Sequence, residues 1–232
     1  MSIHQGHRQR LKERFRREGL DNFDELYVLE LLLFYCIPRV DTNPLAHRLL
    51  DHFGSLAKVL DASTEELERV EGVTHNVSTF LSLITQAGRY YQVKRSAPGQ
   101  ILRTIDQCGH YLTPYFYGRE QETVFLLCLD AKCKVICCKK VGEGSVNSAN
   151  VPIRRIVEMA LGANATTVVL AHNHPSGLAI PSADDIETTG RVANALESVE
   201  IILADHIVVS GEDFVSIVQS QYYSPKDSCS VR

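Results

Sequence analysis

The stretch Ala171-His172-Asn173-His174-Pro175-Ser176-Gly177 constrains this chain more than any other. It follows Thr166 to Leu170, a β-branched and aliphatic run that reads as a buried strand. Pro175, Gly177 and Pro181 then forbid regular structure, so the strand must empty into a stiff loop. Ser182 opens a polar-then-apolar segment that reads as a helix from Ala183 to Leu196. The order is therefore strand, two histidines, rigid loop, and a helix whose first turn carries Asp185.

That order suits a metal ion. A bend where the strand enters the Pro-Gly loop is expected to turn both imidazoles, His172 and His174, toward one ion, and Asp185 can add an oxygen. Two imidazoles and a carboxylate leave a fourth tetrahedral position open, which is the ligand count of a catalytic rather than a structural zinc site. Zinc in such a site makes bound water acidic enough to attack at neutral pH. Iron and manganese accept the same donors. A plainer reading stands beside this one. Ser182-x-x-Asp185 has the spacing of a capping box, and histidines often satisfy loop carbonyls. The full spacing H-x-H-x7-S-x2-D, met by His172, His174, Ser182 and Asp185, favours the metal.

His172-Asn173-His174-Pro175-Ser176-Gly177 matches an HNHPSG signature, and through it the chain resembles the JAMM (JAB, MPN+) metalloprotease-like domains. It is most similar to the bacterial RadC family, historically labelled DNA repair proteins. The likeness runs from about Thr104 to Val218. It takes in Glu143-Gly144-Ser145-Val146-Asn147 upstream and Asp205-His206-Ile207-Val208-Val209 downstream. The resemblance implies a JAB/MPN-like α/β domain, a mixed sheet flanked by helices with cytidine-deaminase-like layering. It implies one zinc ion on His172, His174 and Asp185, and cleavage of a peptide or isopeptide bond in a peptide or protein substrate. It further implies Glu143 as general base and Ser182 as the donor that stabilises the oxyanion. Taken alone, Glu143 is a loop glutamate between two glycines. Asp205 and His206 lie in a strand-like run where charge is costly unless paired. The family pattern places them in hydrogen bonds behind the ligands, with a purely structural bond as the other reading and His206 as a zinc ligand less favoured.

The N-terminal part has a different character. Residues 1–95 read as a small all-helical domain, 96–103 as a Pro-Gly linker, 104–223 as the metal domain and 224–232 as a disordered tail. Gly6 to Gly19 is an amphipathic basic helix whose Arg14, Arg16 and Arg17 can touch phosphate, or can simply face water. Helices are expected over Asp24–Cys36, from Pro44 to His52, from Ser63, and over Asn76–Tyr91. Val70-Glu71-Gly72-Val73-Thr74 is similar to the hairpin of a helix-hairpin-helix, a module that offers backbone N–H groups to DNA. Thr74 stands where a second glycine is needed, and threonine is poor at positive φ, so a degenerate packing hairpin is favoured over a DNA clamp. DNA is thus an alternative partner, with the metal domain then structural or phosphodiester-cleaving.

Composition narrows the classes. Lys and Arg total 24 against 28 Asp and Glu, a net charge of −4, so no overall basic footprint marks a nucleic-acid binder. The longest apolar run, Leu29 to Ile37, is broken by Glu30 and is far too short to span a bilayer, and the N-terminus is polar and basic. Both features point to the cytoplasm. The 7 cysteines follow no disulfide spacing; Cys128, Cys133, Cys137 and Cys138 cluster without a C-x2-C and read as buried thiols rather than zinc ligands.

Overall fold

A computed structural model describes residues 3–95, 99–144, 152–175 and 177–222. The expected tail 224–232, residues 96–98 of the expected linker, Ser176, and Ser145, Val146 and Asn147 lie outside the described residues. The chain divides into two compact units, Met1–Gly88 and Arg89–Arg232.

The first unit is helical. Helix α1 (Ile3–Glu18) ends at Gly19, whose φ of +69° a side chain would resist. Helix α2 (Glu25–Cys36) is capped by Asp24, which accepts from Tyr27 N, and α3 (Asn43–Phe53) closes on left-handed Gly54. Between them and α5 (Thr64–Leu67) lies α4 (Leu56–Asp61), too short to show a period in the sequence. Leu29, Leu33, Leu49, Val59, Leu67, Val77 and Leu81 bury their side chains together as the core. Helix α6 (His75–Arg95) begins directly after the Gly72 hairpin. Gly72 has φ +92°, whereas Thr74 is absent from the positive-φ residues and its carbonyl accepts from Val77 N and Ser78 N. Arg48 of α3 donates from Nε to Glu71 O at 3.0 Å, and its guanidinium lies where a Cβ on Gly72 would fall. The hairpin is packed against its own unit. Among the described residues no helix is long and apolar enough to cross a membrane.

In the second unit, residues 99–103 fall within the expected linker but are built into the domain. Gly99 N donates to Val135 O, Val135 N to Gln100 O, and Leu102 N to Cys133 O, while Leu102 is 2% exposed. Burial of that leucine is the physical reason the segment is ordered. Helix α7 (Ile105–Leu112) opens on a capping box of Thr104 and Gln107, and a 3-10 turn follows over Thr113–Phe116. Strands β1 (Thr123–Leu129) and β2 (Val135–Glu143) form a hairpin; helix α8 (Ile153–Gly162), β3 (Thr167–Asn173), α9 (Ala183–Glu197), β4 (Ile202–Ser210) and β5 (Asp213–Ser216) complete the unit.

The five strands lie in the order β2-β1-β3-β4-β5, antiparallel except for the parallel β3–β4 pair. Alternation along the strands feeds two cores. Phe125, Leu127, Val169, Ala171, Ile207 and Val209 face α7, with Tyr111, Leu112 and Phe116. Val124, Leu126, Val168 and Leu170 face α8 and α9, with Ile156, Ala160, Val192 and Leu196. The sheet is covered on both faces, which is why β1 and β3 read as unbroken apolar runs. A mixed α/β sheet flanked by helices, preceded by a helical unit, is the architecture expected from the sequence.

Candidate metal centre

Strand β3 continues through His172 to Asn173, three residues beyond the apolar run that announced it. The expected bend is therefore unnecessary. His174 stands one residue past the strand, but its N still donates to Val209 O at 2.8 Å, so the alternation of the strand carries on to it and His172 and His174 project to the same side. Their Nε2 atoms lie 3.0 Å apart. Helix α9 brings its first turn over the same face and delivers Asp185, with Oδ1 3.2 Å from His172 Nε2 and Oδ2 3.5 Å from His174 Nε2. Among the described residues these three form the grouping able to hold a metal ion. The spacings fit one: tetrahedral ligands about 2.0–2.1 Å from zinc stand about 3.3 Å from one another.

The surrounding hydrogen bonds set which nitrogens face the group. Thr189 Oγ1 lies 2.6 Å from Asp185 O, which can only accept, so the hydroxyl proton points there. His206 Nδ1, 2.7 Å from the same Oγ1, must then donate to it. His206 Nε2 is left to accept from His172 Nδ1 at 2.8 Å. Burial, with the neighbouring histidines, holds the His206 pKa well below the ordinary imidazole value, so that ring is neutral. On the other side His174 Nδ1 donates to Leu178 O at 3.3 Å. Both rings thus use Nδ1 outward and turn Nε2 inward, the division of labour seen when a second hydrogen bond orients a metal ligand. Thr189 was not apparent in the sequence, although its position one turn after Asp185 on α9 is the signal that would have found it.

Ser182 and Asp185 also form the capping box. Ser182 N and Oγ both donate to Asp185 Oδ2, at 2.7 and 2.6 Å, and Asp185 N donates back to Ser182 Oγ at 3.2 Å. The same carboxylate closes the cap and belongs to the group that could hold a metal, so the two readings are compatible. Burial raises the Asp185 pKa, but hydrogen bonds from His172 and Ser182 outweigh it and hold the carboxyl well below the usual range.

Glu143 is the last residue of β2, opposite Thr123, and 40% exposed. Its carboxylate is gripped by Lys140 Nζ and by Arg119 Nη1 at 3.4 Å. Lys140 lowers its pKa most, burial opposes this, and Arg119 lowers it further, so the net shift is downward. Neither cation was singled out in the sequence. Of the two readings offered for Asp205, the structure has the structural hydrogen bond and not the one behind the ligand group. Asp205 is adjacent to His206 on β4, so it points to the opposite face, away from the ligands, and accepts from His206 N, Val218 N and Ser216 Oγ. Its role is to tie β4 to the turn after β5, and burial raises its pKa.

A cleft of about 430 Å³ opens beside His174, lined also by Glu122, Pro175, Gly177, Leu178 and Ile180. Among the described residues no cysteine joins the group of His172, His174 and Asp185. Cys128 faces Cys137 across the β1–β2 ladder, and burial pushes the Cys128 thiol up to about 12 and that of Cys108 to about 11. Arg14, Arg16, Arg17, Gly72 and Thr74 belong to the first unit. There Arg14 donates to Asn22 O at 2.6 Å and stacks on Phe23, Arg17 pairs with Glu18, and Arg16 is exposed.

Comparison with known proteins agrees with this geometry. A family model described as the RadC-like JAB domain matches residues 102–222. A UPF0758 protein of Fusobacterium nucleatum is 34% identical over 93% of this chain and 96% of its own length. A UPF0758 protein of Ruegeria pomeroyi is 36% identical over 88% of this chain and 91% of its own. The two histidines, Asp185 and the five strands all lie within the matched residues, and the chain belongs to the RadC-like JAB domain family.

Proposed function

We propose that this protein is a zinc-dependent hydrolase of the JAMM type that cleaves a peptide or isopeptide bond. The observation that carries it is the convergence of two inward-facing Nε2 atoms and one carboxylate at tetrahedral spacing. Zinc held by His172, His174 and Asp185 would acidify bound water and polarise the scissile carbonyl.

The chain's own residues support the rest. Glu143 is ionised at neutral pH, since Lys140 and Arg119 hold its pKa down, and so is able to take a proton from the attacking water and return it to the leaving amine. Ser182 is exposed, and its hydroxyl, now donating to Asp185, needs only rotation about one bond to meet an oxyanion. The exposed Leu178 and Ile180 wall the cleft beside His174 and suit a peptide side chain. The alternative, a DNA-associated protein whose metal domain is structural or cuts phosphodiesters, draws on the basic face of α1, but Arg14 and Arg17 already serve local bonds.

Metal analysis of protein purified without added metal, followed by incubation with peptide, isopeptide-linked and DNA substrates, tests the proposal. One equivalent of zinc and amide cleavage are expected. His174→Ala should lose the metal. Glu143→Gln should keep it and lose roughly 10²–10⁴-fold in rate. Normal turnover by Glu143→Gln, or metal loss as complete as in His174→Ala, would show the assigned roles to be wrong.

A further inference from the structure

Asn173 stands between the two imidazoles, yet alternation along β3 turns its side chain away from them. It is 4% exposed, and both ends of its amide are engaged. Oδ1 accepts from Thr123 N at 2.8 Å; Nδ2 donates to Gln121 O at 3.3 Å and Arg119 O at 3.5 Å. All three partners belong to the chain that enters β1. The β1–β3 ladder itself ends at the Val124–His172 pair, one residue short of Thr123, so the side chain continues the pairing where the backbone has stopped.

The segment held by Asn173 in turn holds the end of β2. Thr123 pairs with Glu143 across the β1–β2 ladder. Gly144 N donates to Glu122 O at 2.9 Å, and Arg119 Nη1 reaches Glu143 Oε1. Remove the amide and Thr123 N–H loses its acceptor, while Arg119 and Gln121 lose their donor. Three hydrogen bonds between this segment and β3 are then lost at once.

We infer that Asn173 is a positioning residue: a single amide sets where the Glu143-bearing end of β2 stands relative to the strand that carries His172 and His174. The functional weight of this inference rests on Glu143 being the general base.

Backbone amide exchange on the metal-free full chain tests the link without a substrate. In Asn173→Ala the Thr123 and Gly144 amides should exchange faster together, by roughly tenfold, as expected for one lost hydrogen bond, while those of Val168 to Ala171 and of α9 hold. Unchanged exchange at Gly144, or faster exchange across the whole sheet, overturns the inference. Asn173→Asp keeps an acceptor for Thr123 N but sets a carboxylate against two carbonyls, and it serves if the alanine variant does not fold. There Gly144 should loosen while Thr123 stays protected, and wild-type protection at Gly144 overturns the inference.

The second measurement is the pH midpoint of the visible spectrum of cobalt-loaded protein. Glu143→Gln and Asn173→Ala should move it in the same direction, and the double variant no further than Glu143→Gln alone. Independent, additive shifts overturn the link between Asn173 and Glu143. If Glu143→Gln leaves the midpoint in place, the general-base assignment fails, and amide exchange still decides whether Asn173 couples the two strands.

Discussion

Glu143 is held by cations on both of its oxygens, and this decides how it titrates. Lys140 is the larger influence and Arg119 a further one, so the carboxyl ionises below its ordinary value of 4.5. Lys140→Ala removes the main stabilisation of the charged form and should raise that pKa toward the ordinary value. A ¹³C NMR titration of the Glu143 carboxyl reads this directly, and an unchanged or lower midpoint contradicts it. Because the folded-state pKa is depressed, any stability from the contact is present above the unfolded value and lost as pH falls through the folded one. The difference in stability between wild type and Lys140→Ala should therefore shrink on acidification through that window, and the effect should be small because the pair is 40% exposed on each side.

At the scale of elements, the N-terminus of α9 does two jobs. Its capping box ends the helix cleanly and aims Asp185 at His172 and His174. Ser182→Ala removes the hydroxyl that caps Asp185 N and donates to Oδ2, and should cost about 0.5–2 kcal/mol in urea unfolding of the metal-free protein. It should also weaken zinc affinity measured by chelator competition, since Asp185 Oδ2 keeps only the Ser182 N donor. Unaltered stability and affinity would mean that the backbone alone orients the carboxylate. The turn into α9 has a second anchor: Thr189, bonded to Asp185 O and to His206, links the helix to β4 behind the ligands.

For the whole molecule, every donor of the metal group lies in the second unit, Arg89–Arg232. A fragment of residues 89–232 is expected to bind one zinc ion with an affinity within about threefold of the intact chain, a difference under about 0.7 kcal/mol. Isothermal titration of both proteins checks this; loss of binding in a folded fragment would make the helical unit part of the site. DNA binding, if it belongs to α1 and the Gly72 hairpin, should be absent from the fragment and should weaken steeply with salt in the intact chain. The local sequence by itself determined which residues form the group that could hold a metal, the capping box and most helices, because each is written in neighbouring residues: two histidines one apart, a serine three before an aspartate, an apolar period. It also marked Thr166 to Leu170 as a buried strand, and β3 is buried from Val168 onward. It did not disclose that residues 99–103 join the domain, since only the packing of Leu102 orders them. Nor did it disclose α4, which is shorter than two helical turns. The face that Asp205 takes, the cations on Glu143, and the partners of Thr189 and Asn173 were decided by tertiary structure alone. Asn173–Thr123, Arg119–Glu143 and Thr189–His206 join residues 50, 24 and 17 positions apart, and the choice between the two faces of a strand depends on where its neighbours in the sheet place the ladder.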